Sequence, residues 1–350
     1  MRDLKNQTDG KQSFPQILTV SGLQKRFNLE AGFFARFGTF VYAVNDISFT
    51  IHENESYGLV GESGCGKTST ARLLVRMYEA DSGSIMYRDS TDVLRLEGRD
   101  LRSYRGKIKY VFQDPARSLN PRKNIYEILT AGSRWSLSWP GKREAREEAA
   151  AMLEEVGLSK NDLERRPSEF SGGQRQRISI ARGLMMKPEL LICDEVVSAL
   201  DVSIQGQILN LLLDIRQKHS LSFLFIAHDL KVACYFCDRI GVMYRGELME
   251  EAEAKDLYKS ALHPYTKLLF SSVTGNEVSQ NIPGRHTHVM RTHVMRTHAM
   301  RAHDAAIHSS AAGTGCAFAS RCPIAEEKCF REHPGIKEVE NGHRIRCLMI

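Results

Sequence analysis

The sequence predicts an α/β fold, in which parallel strands alternate with helices. The first observation is an apolar run at 57–60 that leads through a glycine-rich loop into a helix-like segment at 70–77. The second is that three later apolar runs, at 108–112, 190–193 and 223–227, are short and continuous, which is typical of strands buried on both faces. The third is that polar side chains follow each run, at the edge where an open α/β sheet holds its ligand.

The glycine-rich loop has the sequence GESGCGKT. It fits the phosphate-loop pattern G-x-x-x-x-G-K-[ST], and it lies between a strand and a helix as that pattern requires. Its glycines allow backbone N–H groups and the positive end of the helix to face a triphosphate. Lys67 is predicted to bridge the β- and γ-phosphates, and the Thr68 hydroxyl to ligate Mg²⁺. We expect nucleotide to contact the whole loop, which comprises Gly61, Glu62, Ser63, Gly64, Cys65, Gly66, Lys67, Thr68 and Ser69.

The composition is that of an ordinary globular protein of one large or two medium domains, with 350 residues and 42% hydrophobic side chains. The formal charge of +6 is spread along the chain, so charge gives no support to nucleic-acid binding. No apolar run reaches the roughly 18 residues that cross a bilayer. The first fourteen residues also lack the apolar core of a signal peptide. We therefore expect a chain that neither spans a membrane nor is exported.

The N-terminal part contains the candidates for stacking on an adenine ring. Residues 1–15 are polar and are predicted to be flexible, and strand-like patterns follow at 17–20 and 42–51. Phe27 and Tyr42 lie at the facing ends of these two strands. Either ring can stack on adenine, and packing of either ring against the sheet is an equally good interpretation.

An amide and a helical insert follow the phosphate loop. Gln113 ends the strand at 108–112, just before Asp114-Pro115, and is predicted to reach Mg²⁺ or an attacking water. That signal is weak, because Gln is common at strand ends. The pattern from 125 to 157 is helical, and we predict a helical subdomain at about 115–187 inserted into the α/β core.

A second anion-binding helix terminus is predicted at Ser171. This residue has the character of an N-cap, and Gly172, Gly173 and Gln174 follow it before an apolar helical pattern. One nucleotide does not need two such sites from one chain.

Acidic and imidazole side chains follow the last two buried strands. Asp194 is predicted to serve Mg²⁺, and Glu195 to polarise the water that attacks the γ-phosphate. The alternative interpretation is that Asp194 and Glu195 have only a structural role at the end of the strand. Asp201 belongs to the next turn, and His228 is placed to touch the γ-phosphate.

Together these residues resemble the ATP-binding subunits of ABC transporters, and Ser171-Gly-Gly-Gln174 is the discriminating sequence. The resemblance covers roughly residues 16–260. It implies a phosphate-loop ABC ATPase domain with a RecA-like core, an antiparallel β subdomain and a helical subdomain. It also implies that two such domains pack head to tail, so that Ser171 to Gln174 close in trans over ATP held by the other subunit. Asp201 would contact the partner, and the catalytic residues would be Lys67, Gln113, Glu195 and His228.

The C-terminal extension, residues 261–350, narrows the resemblance to the oligopeptide/dipeptide importers and the related nickel importers. The sequences that carry it are 263–266 (HPYT), 118–122 (SLNPR) and 281–284 (NIPG).

Four cysteines form a set at 316–347, with the spacing C-x5-C-x6-C-x17-C: Cys316, Cys322, Cys329 and Cys347. This tail has little apolar content, and a metal would stabilise it better than a core of its own. The resemblance implies a [4Fe–4S] cluster. The spacing alone also allows a Cys₄ zinc site or free thiols. The other four cysteines are predicted to pack in the interior.

A histidine-rich repeat at 285–310 departs from the family pattern, with a His at every fifth position from His288 to His308. A five-residue step gathers side chains neither on one helix face nor on one strand face. We predict a flexible linker, with binding of Ni²⁺ or Zn²⁺ as the alternative.

The resemblance implies an ATP- and Mg²⁺-dependent ATPase that powers peptide import at the cytoplasmic face of a bacterial inner membrane, where it is peripheral. Its expected partners are a second ATPase subunit, usually a different chain in this branch, two transmembrane permease subunits, and a periplasmic or lipid-anchored solute-binding protein. Nickel or another small solute is the alternative cargo.

Two other classes of protein fit the sequence less well. A soluble ABC ATPase of DNA repair or translation would carry a long coiled coil or a second ATPase domain. A phosphate-loop kinase would lack Ser-Gly-Gly-Gln.

Overall fold

The structure is a computed structural model that describes residues 15–28, 40–135, 139–274, 314–340 and 342–350. Within these residues the strands are β1 (Gln16–Asn28), β2 (Phe40–His52), β3 (Ser56–Val60), β4 (Ser82–Tyr87), β5 (Thr91–Asp92), β6 (Ile108–Val111), β7 (Leu190–Asp194), β8 (Ser222–Ala227), β9 (Arg239–Tyr244), β10 (Glu247–Glu253), β11 (Lys337–Glu340) and β12 (His343–Ile345). The helices are α1 (Lys67–Leu74), α2 (Gly98–Lys107), α3 (Pro115–Ser118), α4 (Ile125–Thr130), α5 (Lys142–Glu155), α6 (Gly172–Leu184), α7 (Val202–His219), α8 (Leu230–Phe236), α9 (Ala254–Ser260), α10 (Pro264–Thr274) and α11 (Glu327–Arg331).

The larger sheet has eight strands in the order β11-β12-β10-β9-β3-β8-β7-β6. Strands β9, β3, β8, β7 and β6 are parallel to one another, whereas β10, β12 and β11 continue the sheet from β9 in antiparallel fashion. The parallel arrangement brings the carboxyl ends of β3, β6, β7 and β8 to one edge of the sheet. The phosphate loop, Gln113, Asp194-Glu195 and His228 follow these ends, as the sequence predicts.

Two hydrophobic cores lie on opposite faces of this sheet, because successive side chains of a strand point to opposite sides. In β8, Phe223 and Phe225 belong to one core, and Leu224 and Ile226 belong to the other. The first core is shared with helices α4 to α8. The second is shared with α1, with Tyr104 of α2 and with the smaller antiparallel sheet, whose order is β2-β1-β4-β5.

The helical insert consists of α3 to α6, in the predicted position. Helix α4 begins at a reciprocal capping box, in which the Asn124 side chain accepts from the Glu127 N–H and the Glu127 carboxylate accepts from the Asn124 N–H. Leu153 of α5 and Ile178 of α6 are fully buried in the core on the α4–α8 face of the sheet. The insert is therefore packed on this face of the sheet rather than standing apart.

The C-terminal segment, residues 314–350, differs from the predicted isolated module. Strand β12 pairs with β10, β11 pairs with β12, and Phe318 is buried in the main core. The tail was expected to be stabilised by a metal because it cannot bury enough surface alone. That argument does not hold here, since β10 and the main core supply the buried surface. The sequence analysis also missed β9 and β10, on which this segment docks.

Several boundaries differ from the predicted ones. Helix α1 begins at Lys67 rather than 70, and Pro115 does not break the chain but begins the single turn α3, which Asp114 caps. The His-rich repeat at 285–310 and nearly all of the predicted N-terminal tail lie outside the described residues. Among the helices described, none combines the length and the apolar character needed to span a bilayer.

Candidate nucleotide-binding site

The phosphate loop turns tightly between β3 and α1. Gly66 has a φ of 109°, and a Cβ atom there would lie 2.0 Å from the carbonyl oxygen of Ala43. A Cβ atom on Gly61 would lie 2.1 Å from the carbonyl oxygen of Met243. Only glycine fits such close approaches of backbone, so strands β2 and β9 shape the loop from outside.

The Lys67 ammonium lies within its own loop. It donates to the carbonyl oxygens of Gly61 at 2.7 Å and Glu62 at 3.0 Å, and it lies 3.7 Å from Cys65 Sγ. Burial raises the pKa of Cys65, so this thiol stays protonated beside the ammonium. The side chain of Lys67 is only 4% exposed, and its charge is already positioned inside the loop where a phosphate would bind.

A carboxylate and two hydroxyl groups meet at the end of β7. Asp194 Oδ1 accepts from the Thr68 hydroxyl at 2.9 Å, and Asp194 Oδ2 accepts from the Tyr110 hydroxyl at 2.5 Å. Burial and the neighbouring Asp194 charge raise the pKa of Tyr110, which therefore remains a neutral donor. The oxygen donors of Thr68 and Asp194 fit a hard cation such as Mg²⁺, and they would hold it next to Lys67.

Glu195 has a left-handed backbone conformation with a φ of 49°. Its N–H donates to the Ile226 carbonyl at 3.1 Å, and its own carbonyl accepts from the Ser198 hydroxyl at 2.9 Å. These bonds hold a conformation that costs free energy in a non-glycine residue. The Glu195 carboxylate accepts from the Gln113 amide at 2.6 Å, so these two predicted site residues are in direct contact.

His228 follows β8 and is exposed. It lines a small pocket together with Glu195, Ser198 and Asp229, and Asp229 caps helix α8. The structure thus brings the imidazole and the predicted catalytic carboxylate to one cavity at the sheet edge.

The Ser-Gly-Gly-Gln sequence forms the N-terminus of α6. The Ser171 hydroxyl accepts from the Gln174 N–H at 3.3 Å, and the Gln174 side chain accepts from the Ser171 N–H at 2.9 Å. Ser171 and Gly172 are exposed, as is Asp201 at the N-cap of α7. The predicted N-cap is therefore confirmed, and this helix end is presented to solvent.

The two aromatic candidates for adenine have different surroundings. Phe27 packs edge-on against Tyr78, with a centroid distance of 5.3 Å, and it is half-buried. Tyr42 is also half-buried, and it directly precedes Ala43, whose carbonyl contacts the phosphate loop.

The four C-terminal cysteines lie in one neighbourhood. The Cys316 N–H donates to the Cys329 carbonyl at 2.7 Å, and Cys329 and Cys347 are buried. The pKa values of Cys316 and Cys322 are raised, mainly by burial and further by the other two thiols. Yet nowhere in the described part of the chain do three or more His, Cys, Asp or Glu side chains form a group that could hold a metal ion. The predicted [4Fe–4S] cluster is therefore not supported.

Three residues at the site were missed in the sequence analysis. Tyr110 lies inside an apolar strand, and its alternation with Lys109 was the only signal. Tyr265 belongs to the HPYT sequence, but nothing in that sequence indicated that its hydroxyl accepts from the Glu62 N–H at 3.0 Å. Arg321 reaches Glu62 from the C-terminal segment, 259 positions away, and such a contact leaves no local pattern.

Four features of the site define the class of protein. They are a phosphate loop, an Asp suited to Mg²⁺, an adjacent carboxylate held by Gln113, and a helix that begins with Ser-Gly-Gly-Gln. They occur on a layered sheet with a helical insert, and the chain is a phosphate-loop ATPase of the ABC type. A family model described as ABC transporter matches residues 44–198. A second, described as oligopeptide/dipeptide transporter, C-terminal region, matches residues 249–329.

Relatives similar along almost the whole chain narrow the family further. The oligopeptide transport ATP-binding protein AppF of Bacillus subtilis is 39% identical over 332 residues, which cover 95% of this chain and 96% of that protein. A putative peptide import ATP-binding protein of Brucella ovis is 40% identical over 337 residues, with 95% and 97% covered. The chain belongs to the ATP-binding proteins of ABC transporters, in the oligopeptide/dipeptide branch, and it is an ATP-hydrolysing enzyme.

Solved structures agree on the fold. The ATP-binding cassette MJ0796, in a dimeric post-hydrolysis state with ADP and phosphate, matches with a TM-score of 0.60 at 24% identity, covering 68% of this chain and 99% of that one. The transporter component cbiO1 of Clostridium perfringens matches with a TM-score of 0.60 at 22% identity, covering 74% and 96%.

Proposed function

We propose that this chain powers the import of peptides through a membrane ABC permease. The observation that carries the proposal is that one chain joins an ABC-type ATPase region to a C-terminal region of the oligopeptide/dipeptide type. Relatives along almost its whole length are named for oligopeptide transport and peptide import, which supports peptides over nickel or another small solute as cargo.

In this proposal each site residue has one task. Lys67 and the loop N–H groups bind the β- and γ-phosphates, while Thr68 and Asp194 hold Mg²⁺. Glu195 orients and polarises the attacking water, and the Gln113 amide keeps its carboxylate in place. His228, which lines the same small pocket as Glu195, would contact the γ-phosphate. Bound Mg²⁺ would supply charge neutralisation at the phosphates.

Ser171 to Gln174 act in trans. Their capped, exposed helix end is built to face an anion, and one chain has no second nucleotide for it. A second ATPase subunit would present its own site to this helix end, with Asp201 at the contact. ATP then holds two subunits together, and hydrolysis releases them.

Pairing of the subunits is tested with Glu195→Gln, which keeps the side-chain volume but removes the base. With saturating MgATP we expect this variant to pair, alone or with its natural companion, in mass photometry. Lys67→Ala, which removes the phosphate-binding charge, should stay unpaired. A Glu195→Gln protein that remains single under both conditions would contradict the proposal.

Transport is tested with the permease subunits. We expect the chain to copurify with them from membranes and to hydrolyse ATP faster when a peptide-loaded solute-binding protein is added. Glu195→Gln should copurify without hydrolysis. Stimulation by nickel and not by peptides would assign the other cargo. The proposed location is peripheral, on the cytoplasmic face of the bacterial inner membrane.

The proposed domain division is an ATPase domain at 16–260, with its helical subdomain at about 115–187, and an extension at 261–350.

For stacking on adenine, Phe27 and Tyr42 both remain candidates. Substitution of each by Ala, followed by titration with ATP and with inorganic triphosphate, identifies the stacking ring, because only ATP binding should weaken.

The metal at the Cys set stays a prediction from the resemblance. The four thiols share one neighbourhood, but a metal-holding group is not formed among the described residues. Iron, sulfide and zinc analysis of anaerobically purified protein distinguishes a [4Fe–4S] cluster, a zinc site and free thiols. If the thiols are free, none of the three elements should be found.

A further inference from the structure

An arginine of the C-terminal segment reaches the phosphate loop. The two terminal nitrogens of Arg321 donate to the two carboxylate oxygens of Glu62, each at 2.8 Å. This bidentate geometry is the most specific way in which a guanidinium recognises a carboxylate. Glu62 is the residue directly after the first glycine of the loop, so the contact joins the Cys-bearing segment to the phosphate-binding backbone.

Aromatic rings hold the guanidinium in place. It lies over the rings of Tyr244 at 5.5 Å and Phe318 at 5.8 Å, and it also donates to the Tyr244 hydroxyl at 3.4 Å. Tyr244 and Phe318 are buried and pack edge-on at 5.3 Å. Arg321 is therefore preorganised by the main core before any nucleotide binds.

The loop side of the contact is also fixed. The Glu62 N–H donates to the hydroxyl of the buried Tyr265, and the Glu62 carbonyl accepts from the Lys67 ammonium at 3.0 Å. The same residue thus receives Arg321 on its side chain and Lys67 on its backbone. Displacement of Glu62 would move the groups that position Lys67.

The negative charge of Glu62 is the reason why its contact with Arg321 matters for nucleotide binding. A carboxylate in a loop that binds triphosphate opposes the ligand, because like charges repel. The hydrogen bonds from Arg321 lower the pKa of Glu62, so it remains ionised. Arg321 is the main group that compensates its charge, and Arg245 and Lys67 contribute less. Both side chains are about 40% exposed, at 42% and 40%, so the pair adds little to folding stability. The pair is therefore expected to change the affinity for the ligand rather than the stability of the fold.

We propose that Arg321 is a positioning residue that neutralises and holds Glu62, so that ATP affinity depends on the docked C-terminal segment. The proposal rests on the proposed ATP site and adds a second, distant part to it. Because coupling between sites is reciprocal, ATP binding must in turn tighten the docking of residues 314–340.

The test is a double-mutant cycle on the full chain, with Arg321→Ala, Glu62→Gln and the double variant. We expect Arg321→Ala to raise the Kd of MgATP, and the KM for hydrolysis, about tenfold, with kcat largely kept. In the Glu62→Gln background the same substitution should change the Kd by less than about twofold, because no charge is left uncompensated. An equal loss in both backgrounds would overturn the proposal, as would an unchanged Kd in Arg321→Ala.

Arg331→Ala is the matched control, since it removes an exposed arginine of the same segment that pairs with Glu327 and not with Glu62, and its Kd should equal that of the wild type. Hydrogen exchange supplies the second measurement. MgATP should slow exchange at 314–340 in the wild type and not in Arg321→Ala, and equal protection in both would overturn the coupling. A wild type that binds no ATP would instead refute the proposed function.

Discussion

At the scale of single residues, Tyr110 is the side chain whose role the structure defines most directly. Its hydroxyl holds one oxygen of Asp194 while Thr68 holds the other. A hydrogen bond to a charged group contributes about 1.5–3 kcal/mol. We expect Tyr110→Phe to raise the Mg²⁺ concentration that half-saturates hydrolysis about tenfold, and to restore most activity at saturating Mg²⁺.

A magnesium titration of ATPase activity measures this effect. Tyr235→Phe is the control, because its exposed hydroxyl bonds to Asn210 and not to Asp194. An unchanged Mg²⁺ requirement in Tyr110→Phe would mean that Thr68 alone positions the carboxylate.

A second prediction at this scale concerns His263, whose pKa is lowered to about 4 by burial. In the unfolded chain its pKa is near 6.5, so between these values the unfolded state binds the extra proton. Stability from neutral His263 is therefore present above about pH 6.5 and is lost as the pH falls toward 4, by up to about 3 kcal/mol. We expect His263→Gln, which can still accept from the Tyr265 N–H, to show a smaller loss.

Urea unfolding at a series of pH values from 7 to 4 measures that difference. Glu250 and Lys267 are the charged groups that act on His263, and the backbone of Arg346 forms a hydrogen bond with it. All three are retained in the variant. Identical pH slopes in the two proteins would show that His263 is not the group that titrates.

At the scale of elements, helices α6 and α7 meet at a glycine of the Ser-Gly-Gly-Gln sequence. A Cβ atom on Gly173 would lie 2.8 Å from Ile204 Cγ2 of α7, which is too close for either side chain to accommodate freely. Gly173→Ala should push the start of α6 away from α7. We expect ATP binding by the single chain to be kept and hydrolysis to fall at least about tenfold, because misplacement of a catalytic element is costly.

Gly206→Ala on α7 is the matched control, since a Cβ atom there meets nothing within 4 Å. It should keep activity and stabilise the helix by about 0.5–1 kcal/mol. Full hydrolysis by Gly173→Ala would show that the α6–α7 spacing is not critical.

The same scale shows what the sequence could predict. Runs such as Leu190 to Cys193 are apolar throughout, and α6 carries an explicit capping residue, so these elements and the site residues that follow them were found. Sequence periodicity predicted the bounds of a strand less well where pairing with another strand determines them. β1 extends to Asn28 because it pairs with β2 along its length, and that partner is invisible in a local window.

At the scale of the whole molecule, the C-terminal segment is where sequence reasoning was least complete. Low apolar content indicated a tail without a core of its own, which is correct, but the conclusion that a metal must replace that core did not follow. Three carboxylates of β10 are nearly or fully buried, Glu247, Glu250 and Glu251, and a buried charge needs a partner. The segment provides His333, His343 and Arg344 as those partners.

Removal of residues 314–350 should therefore damage the ATPase domain itself. The deletion leaves the edge of β10 unpaired and removes one charged or imidazole partner from each of its three buried carboxylates. Arg239 remains for Glu251, Asn45 for Glu247, and the N–H groups of Leu262 and His263 for Glu250. Breaking even one buried pair costs about 3–5 kcal/mol, so we expect a large fall in melting temperature and aggregation through the exposed strand. Deletion of 285–310 is the control, since the sequence predicts a linker there, and it should leave melting temperature and ATP binding unchanged. A shortened chain that melts like the wild type would instead make the segment an appendage, and the buried acids of β10 would need other partners.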